Sequence, residues 1–400
     1  MAVLAVVAVA CSSGGGGPSP SSSGAAQKIN VDVWMQGAWT GGFSSLVLPS
    51  FQAGMIRFNE LNADPSFPAH ITVKQGDTQG SSTKAPPVVQ QVVSDKSSVA
   101  VFGPDFSGES LVSGDTYNSD HIPFITPSAT SVELAGKHWA YWYRTVGNDD
   151  AQGTLLAQFI VKYVKPKRLF VLNDKSTYGE PLAKTVETTA RSAGIDVVGA
   201  EGTHSSALNT GSTVNFSSEI SDVKAAHPDV VFFGGYFPDT GPFLKQAKSQ
   251  GVDFTLVSGD GSLSSDIISL AGSQNVNGTY ISAPSNINAG FVAKYKSAEG
   301  SNALPIAVYA PEGYDVAGLI GEGIKYAVAH GDKTPQTIRV GIKQYLDTLT
   351  GGNVYHGVAK DISFNPSTHE LAVSPPDLYH FYKVENGTVK NLGNAKELLG

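Results

Sequence analysis

From Lys28 onward, short apolar runs alternate with longer segments of helical periodicity, and the runs end in loops of glycine, proline and hydroxyl-bearing residues. The first part of the chain predicts strands at 29–35, 71–75, 99–102, 122–125 and 141–145, with helices at 47–61, 83–94 and 110–118 between them. A second stretch repeats the rhythm. It predicts helix 152–163, strand 168–173 (RLFVLN), helix 179–193 stopped by Gly194, strand 195–200, helix 216–226 halted by Pro228, strand 230–233, helix 241–249 ending before Gly251, and strand 254–258. Uninterrupted apolar runs belong to strands covered on both faces, so the pattern is α/β: two doubly wound lobes in tandem, meeting at a cleft. Beyond Thr279 the pattern gives strand 280–283 and helices 289–299, 310–330 and 334–349. Short strand-like runs follow at 361–364 and 378–384, with Asn386-Gly387 as a hairpin turn. The expected division is a leader and tether at 1–27, a first lobe of 28–147 with 279–350, and a second lobe of 148–278 with 351–400. At 400 residues the chain exceeds what one core supports, which agrees with two lobes.

The loops at the strand ends carry the candidate chemistry. In a parallel sheet the carboxyl ends of neighbouring strands share one edge, and ligands bind there against helix amino termini. After the third strand come Gly103, Pro104, Asp105, Phe106 and Ser107; after the fourth come Thr126, Pro127, Ser128, Ala129 and Thr130. Two such loops, with hydroxyls and free backbone N–H groups, suit a carboxylate or another small anion. The competing assignment is that Ser107 and Thr130 only cap helices. The second lobe offers Tyr178, Tyr236, Asp239 and Asp260 at its own strand ends. Asp260 stands between Gly259 and Gly261, where the backbone can approach a guest and the carboxylate can pair with an ammonium; the alternative is an ordinary Asp-Gly turn. Tyrosine supplies a flat wall with a hydroxyl at its edge.

Composition narrows the classes. The net charge is −8 and the basic residues are scattered, so no nucleic-acid surface is expected. There is no G-x-S-x-G elbow, Walker A loop, H-E-x-x-H or dinucleotide fingerprint, and none of the nine histidines pairs with another at metal spacing. No catalytic residue, metal or cofactor is therefore expected, although a hydrolase built on Ser107 with a distant Asp and His has no local signature to look for. Residues 1–10 (MAVLAVVAVA) form an apolar run too short to span a bilayer and suited to a signal-peptide core. Cys11, the only cysteine, follows small residues, and a Gly/Ser/Pro tether runs to Gln27. That arrangement resembles the bacterial lipoprotein processing box, with Cys11 as the lipidated residue; the alternative is an incidental cysteine in a tail. With Cys11 used as an anchor, no thiol remains for disulfides or thiol catalysis.

The ordered motifs GAWTGGF, FGPDFSGES, IPFITPSAT, YRTVGNDDAQG, LNDKSTYGEPLA, VVFFGGYFPDTG and SGDG resemble those of the extracellular solute-binding proteins of ABC importers with the type I periplasmic fold, most closely the branched-chain amino acid group, over residues 29–364. The resemblance implies that Ser107 and nearby N–H groups receive an α-carboxylate and that Thr130 binds both carboxylate and ammonium, with Ser128 and Ala129 beside it. It further implies that Asp149 is the cleft aspartate, that Tyr178 and Tyr236 close over the ligand, and that Asp260 holds the ammonium where a glutamate is usual. Leu46 stands where a tyrosine is usual, and Asp105 and Phe106 stand where apolar or small residues are expected beside the side-chain pocket. Trp39, Phe43, Phe106 and Phe237 are candidates to line that pocket. If Asp105 faces the cleft, a purely aliphatic side chain is disfavoured and a polar or cationic one becomes possible. The implied partners are an amino acid or related small polar solute and a membrane permease, with the protein a lipid-anchored monomer outside the cytoplasm. The alternative on the same fold is a sensor of amides, urea or another nitrogen compound.

Overall fold

In the computed structural model, which describes residues 28–210, 212–373 and 375–400, the first sheet is built from five parallel strands. These are β1 (Ile29–Gly37), β2 (Ala69–Asp77), β3 (Ser98–Phe102), β4 (Phe124–Thr126) and β5 (Trp142–Arg144), in the order β2-β1-β3-β4-β5. One face buries Val31, Val33, Met35 and Phe102 against helices Ser44–Ala63, Ala310–Ala329 and Pro335–Thr348. The other buries Val101 and Phe124 against helices Ala85–Ser94 and Ser107–Ser119. Because both faces are covered, β3 (SVAVF) is buried at every position, which is why its sequence does not alternate.

The second sheet repeats the plan. β6 (Arg168–Asn173), β7 (Asp196–Gly202), β8 (Val230–Gly234), β9 (Thr255–Ser258) and β10 (Tyr280–Ala283) run parallel in the spatial order β7-β6-β8-β9-β10, the same winding as in the first sheet. The sequence pattern assigns 279–350 to the first lobe, but its opening strand, β10, hydrogen-bonds to β9 and belongs to the second. The tail is also divided. β11 (Tyr355–His356) and β12 (Asp361–Ile362) form a small ribbon on the first lobe, where the Tyr355 hydroxyl lies against Gly318, and Phe364 packs on Tyr143 at 5.0 Å between ring centres. β13 (His380–Glu385) and β14 (Thr388–Asn394) are the hairpin around Asn386-Gly387 and extend the second sheet antiparallel to β10. The 351–400 segment expected in the second lobe is therefore split between the two. The chain passes between lobes after β5, after β10, and between β12 and β13.

Both sheets change winding direction between their first and third strands, and the loops leaving those strands face each other across the lobes. Gly103 takes the chain out of β3 at φ +108°, with the Gln36 carbonyl 2.5 Å from where a Cβ would sit, so only glycine lets the loop turn there against β1. Helices Ser44–Ala63 and Ala310–Ala329 approach closely through small residues: a Cβ on Gly313 would lie 2.2 Å from the Ser50 carbonyl oxygen. Gly313→Ala is therefore expected to destabilise the first lobe by about 1–3 kcal/mol through overpacking, read as a lowered midpoint in denaturant-induced unfolding; an unchanged midpoint would mean the helices separate freely.

Candidate functional site

Where the two winding switch points meet, Leu46, Val47, Asp105, Phe106, Ser107, Ser128, Thr130, Tyr178, Tyr236, Asp260 and Tyr309 line a narrow cavity of about 10 Å³, room for about one water, so a larger guest requires the lobes to part. The lobes touch around it. The Ser45 and Ser264 hydroxyls are 2.8 Å apart, and Phe43 and Phe106 lie against Tyr236 at 5.7 and 5.5 Å between ring centres. The cavity is thus narrowed by first-lobe and second-lobe groups together.

On the first lobe Ser107 occupies the first turn of helix Ser107–Ser119 and makes no side-chain cap bond. Its oxygen accepts from the Ser131 N–H at 3.2 Å, which leaves its own proton to donate into the cavity. The Thr130 hydroxyl is buried and makes no well-formed hydrogen bond, so neither residue is a cap and both face the space. Ser128 is differently employed: it donates to the Asp105 carbonyl at 2.8 Å and ties the two loops together, while the Thr126 hydroxyl donates to the Pro104 carbonyl at 2.8 Å. The second of these loops is braced from behind. Arg144 is fully buried, donates to the Ala129 and Ser131 carbonyls at 3.3 and 2.8 Å, and pairs with Glu370. Ala129 is therefore part of the loop's scaffold and not of the cavity wall.

On the second lobe Asp260 is buried at the end of β9, in the sharp turn its flanking glycines allow. Tyr178 donates to one carboxylate oxygen at 3.0 Å and accepts from the Gly261 N–H at 3.1 Å, while Tyr309 donates to the other oxygen at 2.5 Å. Burial pushes the Asp260 pKa up, and the hydrogen bonds from Tyr309, Gln152 and Tyr178 work against that rise. Asp149, directly behind Thr130, is buried with no well-formed hydrogen bond to its carboxylate. Its pKa is driven far up by burial and by the charge of Asp260, with the Thr130 hydroxyl and Arg144 easing ionisation.

Tyr309 carries no signal in the sequence; it comes from the turn before helix Ala310–Ala329, in the left-handed region at φ +59°. Trp39 falls outside the cavity: it stacks on Phe51 at 4.5 Å and donates to the Met35 carbonyl at 2.8 Å, a packing role. Phe43 and Phe237 stand behind Tyr236 and do not line the wall. Asp239 accepts the Ala207 N–H at 2.8 Å and holds a neighbouring loop. Cys11 lies outside the described residues.

A two-lobed α/β chain with the same winding in each sheet and a small polar chamber between their switch points has the fold of the type I periplasmic binding proteins. The sequence model of the family described as periplasmic binding protein matches residues 35–388, and the chain belongs to that family. Among solved structures, a leucine-binding protein from Thermotoga maritima superposes with a TM-score of 0.75 at 22% identity, covering 90% of this chain and 97% of that one. A branched-chain amino acid transporter substrate-binding protein from Streptococcus pneumoniae, in complex with isoleucine, gives 0.75 at 20% identity over 90% and 98%. A type 1 periplasmic binding protein from Bordetella pertussis gives 0.77 at 18% over 92% and 100%. In sequence, the leucine-, isoleucine-, valine-, threonine- and alanine-binding protein of Pseudomonas aeruginosa is 32% identical over 243 residues, 59% of this chain and 62% of that protein. The Leu/Ile/Val-binding protein of Citrobacter freundii is 33% identical over 186 residues, 46% and 49% of the two. The alignments thus span between about half and three fifths of these relatives. Among the described residues no helix is long and apolar enough to cross a membrane, and no cluster of His, Cys, Asp and Glu could hold a metal ion.

Beneath the cavity floor, Glu109 is fully buried, accepts a hydrogen bond from the Thr78 hydroxyl, and leaves its second oxygen unpartnered. Burial raises its pKa to about 8. Between the ordinary glutamate value and 8 the unfolded chain has released this proton and the folded one has not, so stability falls as pH rises through that window, by about 1.4 kcal/mol per pH unit for this group. Glu109→Gln is expected to flatten the profile between pH 6 and 8 in urea titrations; a variant as steep as the native protein would show that Glu109 titrates normally.

Proposed function

We propose that the cavity holds the α-amino and α-carboxyl groups of a free amino acid. The observation that carries this is the sorting of its groups: Ser107 and Thr130, at a helix amino terminus and a loop of the first lobe, present hydroxyls, while the second lobe presents the buried carboxylate Asp260, flanked by tyrosine hydroxyls. A zwitterion removes both its charges from water on entering, and each end then needs its own partner. The α-carboxylate is received by Ser107, Thr130 and nearby N–H groups, with Ser128 holding the loop; the α-ammonium is received by Asp260, with Asp149 supplying further negative potential. Tyr178, Tyr236 and Phe106 wall the guest. Isoleucine in the Streptococcus pneumoniae structure and the amino-acid names of the Pseudomonas aeruginosa and Citrobacter freundii relatives support this reading.

In the same reading the lobes open and close about their three crossings, and ligand contacts from both sides favour the closed form, which then meets the permease of an ABC importer. Cys11 anchors the monomeric protein to the membrane by lipid, with the tether between. Radiolabelled fatty-acid incorporation lost in Cys11→Ser checks the anchor.

Calorimetric titration against a panel of amino acids tests the site. The native protein is expected to bind at least one, and Asp260→Ala to weaken it by roughly 100-fold or more, about 2.7 kcal/mol, because the ammonium loses a buried charged partner. Equal binding by the variant would remove Asp260 from the site.

A further inference from the structure

The grip on the two ends of an amino acid leaves one wall group unused. Asp105 lines the cavity, is 3% exposed, and has no hydrogen bond to either carboxylate oxygen. It lies against the bare Cα of Gly37, where a Cβ would come within 2.9 Å of the Phe51 ring and 3.1 Å of the Asp105 Oδ2, so the carboxyl is held close to β1. The groups nearby do not answer it. Ser128 donates to the Asp105 backbone carbonyl at 2.8 Å and eases ionisation of the carboxyl only from a distance short of a well-formed bond; Gln36 is engaged with Tyr117 and Ser113; Glu109 adds a like charge. Among the described residues no lysine, arginine or histidine forms an ion pair with Asp105. A buried carboxylate with no partner is costly, and the adjoining walls, Leu46, Val47 and Phe106, are apolar and supply none.

The charges do not balance with an aliphatic guest. Asp105 and Asp260 bring two buried carboxyl groups to the cavity wall, with Asp149 behind Thr130, and the guest's α-ammonium is a single cation that Asp260 takes, which leaves Asp105 without a partner. We propose that the ligand is an α-amino acid with a cationic side chain, whose methylene stem lies along Leu46, Val47 and Phe106 and whose terminal ammonium or guanidinium is received by Asp105. The inference rests on the amino-acid reading of the cleft and adds the second cation. Apolar walls ending in an acid suit such a side chain, because its stem is hydrophobic and only its tip is charged.

The test is calorimetry at neutral pH with L-ornithine, L-lysine, L-arginine, L-leucine and L-valine, on the native protein, Asp105→Asn and Asp105→Leu, each checked for its fold by circular dichroism. At least one basic amino acid is expected to bind the native protein about 30-fold or more tighter than leucine, and Asp105→Asn to weaken that binding by a similar factor. Asp105→Leu is expected to reverse the order in favour of leucine; if it does not fold, the isosteric Asp105→Asn decides. Tighter binding of leucine or valine than of every basic amino acid by the native protein overturns the cationic side chain while leaving the zwitterion site standing. Undiminished basic amino acid binding in Asp105→Asn also overturns it. Binding of none of the five overturns the cationic side chain, while the zwitterion site falls only if the wider amino-acid panel also fails to bind.

Discussion

Everything in this molecule is arranged around the difficulty of keeping carboxylates dry. Asp260 and Asp105 line one chamber and Asp149 stands behind its Thr130 wall, all three where burial disfavours their charged forms, and Asp149 feels the charge of Asp260 in addition. Only Asp260 is well supplied with donors, from Tyr178 and Tyr309. A fold assembled for stability alone would have filled such positions with apolar side chains of similar volume, which cost less than unpartnered acids. Their presence is intelligible if a positively charged guest completes the chamber.

The architecture makes that arrangement possible by doing one thing twice. Each lobe winds its sheet in the same order, so each has one edge where the loops of two neighbouring strands diverge and leave a crevice. Setting the crevices face to face gives a chamber walled from both sides. The first-lobe wall is firm. Buried Arg144 fastens the Ala129 and Ser131 carbonyls to Glu370, and Ser128 and Thr126 stitch that loop to Pro104 and Asp105. Side chains held this way lose little further freedom when a guest arrives, so more of the contact energy appears as affinity.

Tyr309 shows how the lobes are coupled at the centre. It leads into a helix packed on the first lobe, yet its hydroxyl donates to the second-lobe Asp260. The same carboxylate thus accepts from Tyr178 and from Tyr309 and ties the two lobes at the cavity wall. Trp39, by contrast, is an aromatic residue at a strand end that stacks on Phe51 and donates to the Met35 carbonyl, covering the sheet instead of the chamber.

Local pattern decided the elements. Apolar runs such as RLFVLN became β6 over the same residues, and Asn386-Gly387 became the expected hairpin turn, since burial on both faces and turn chemistry are properties of short segments. The loops carrying Ser107, Thr130, Tyr178, Tyr236 and Asp260 were legible for the same reason: strand ends in a parallel sheet have one place to go. What a short segment cannot state is which sheet it will join or which way a side chain will face. β10 fits either lobe by its pattern and was settled by hydrogen bonds to β9; the ribbon of β11 and β12 went to the first lobe through the packing of Phe364 on Tyr143. Tyr309, the scaffold role of Ala129 and the empty-handed carboxylate of Asp105 depend on neighbours in other elements of the chain or on room left by Gly37, and such contacts exist only once the chain has closed on itself.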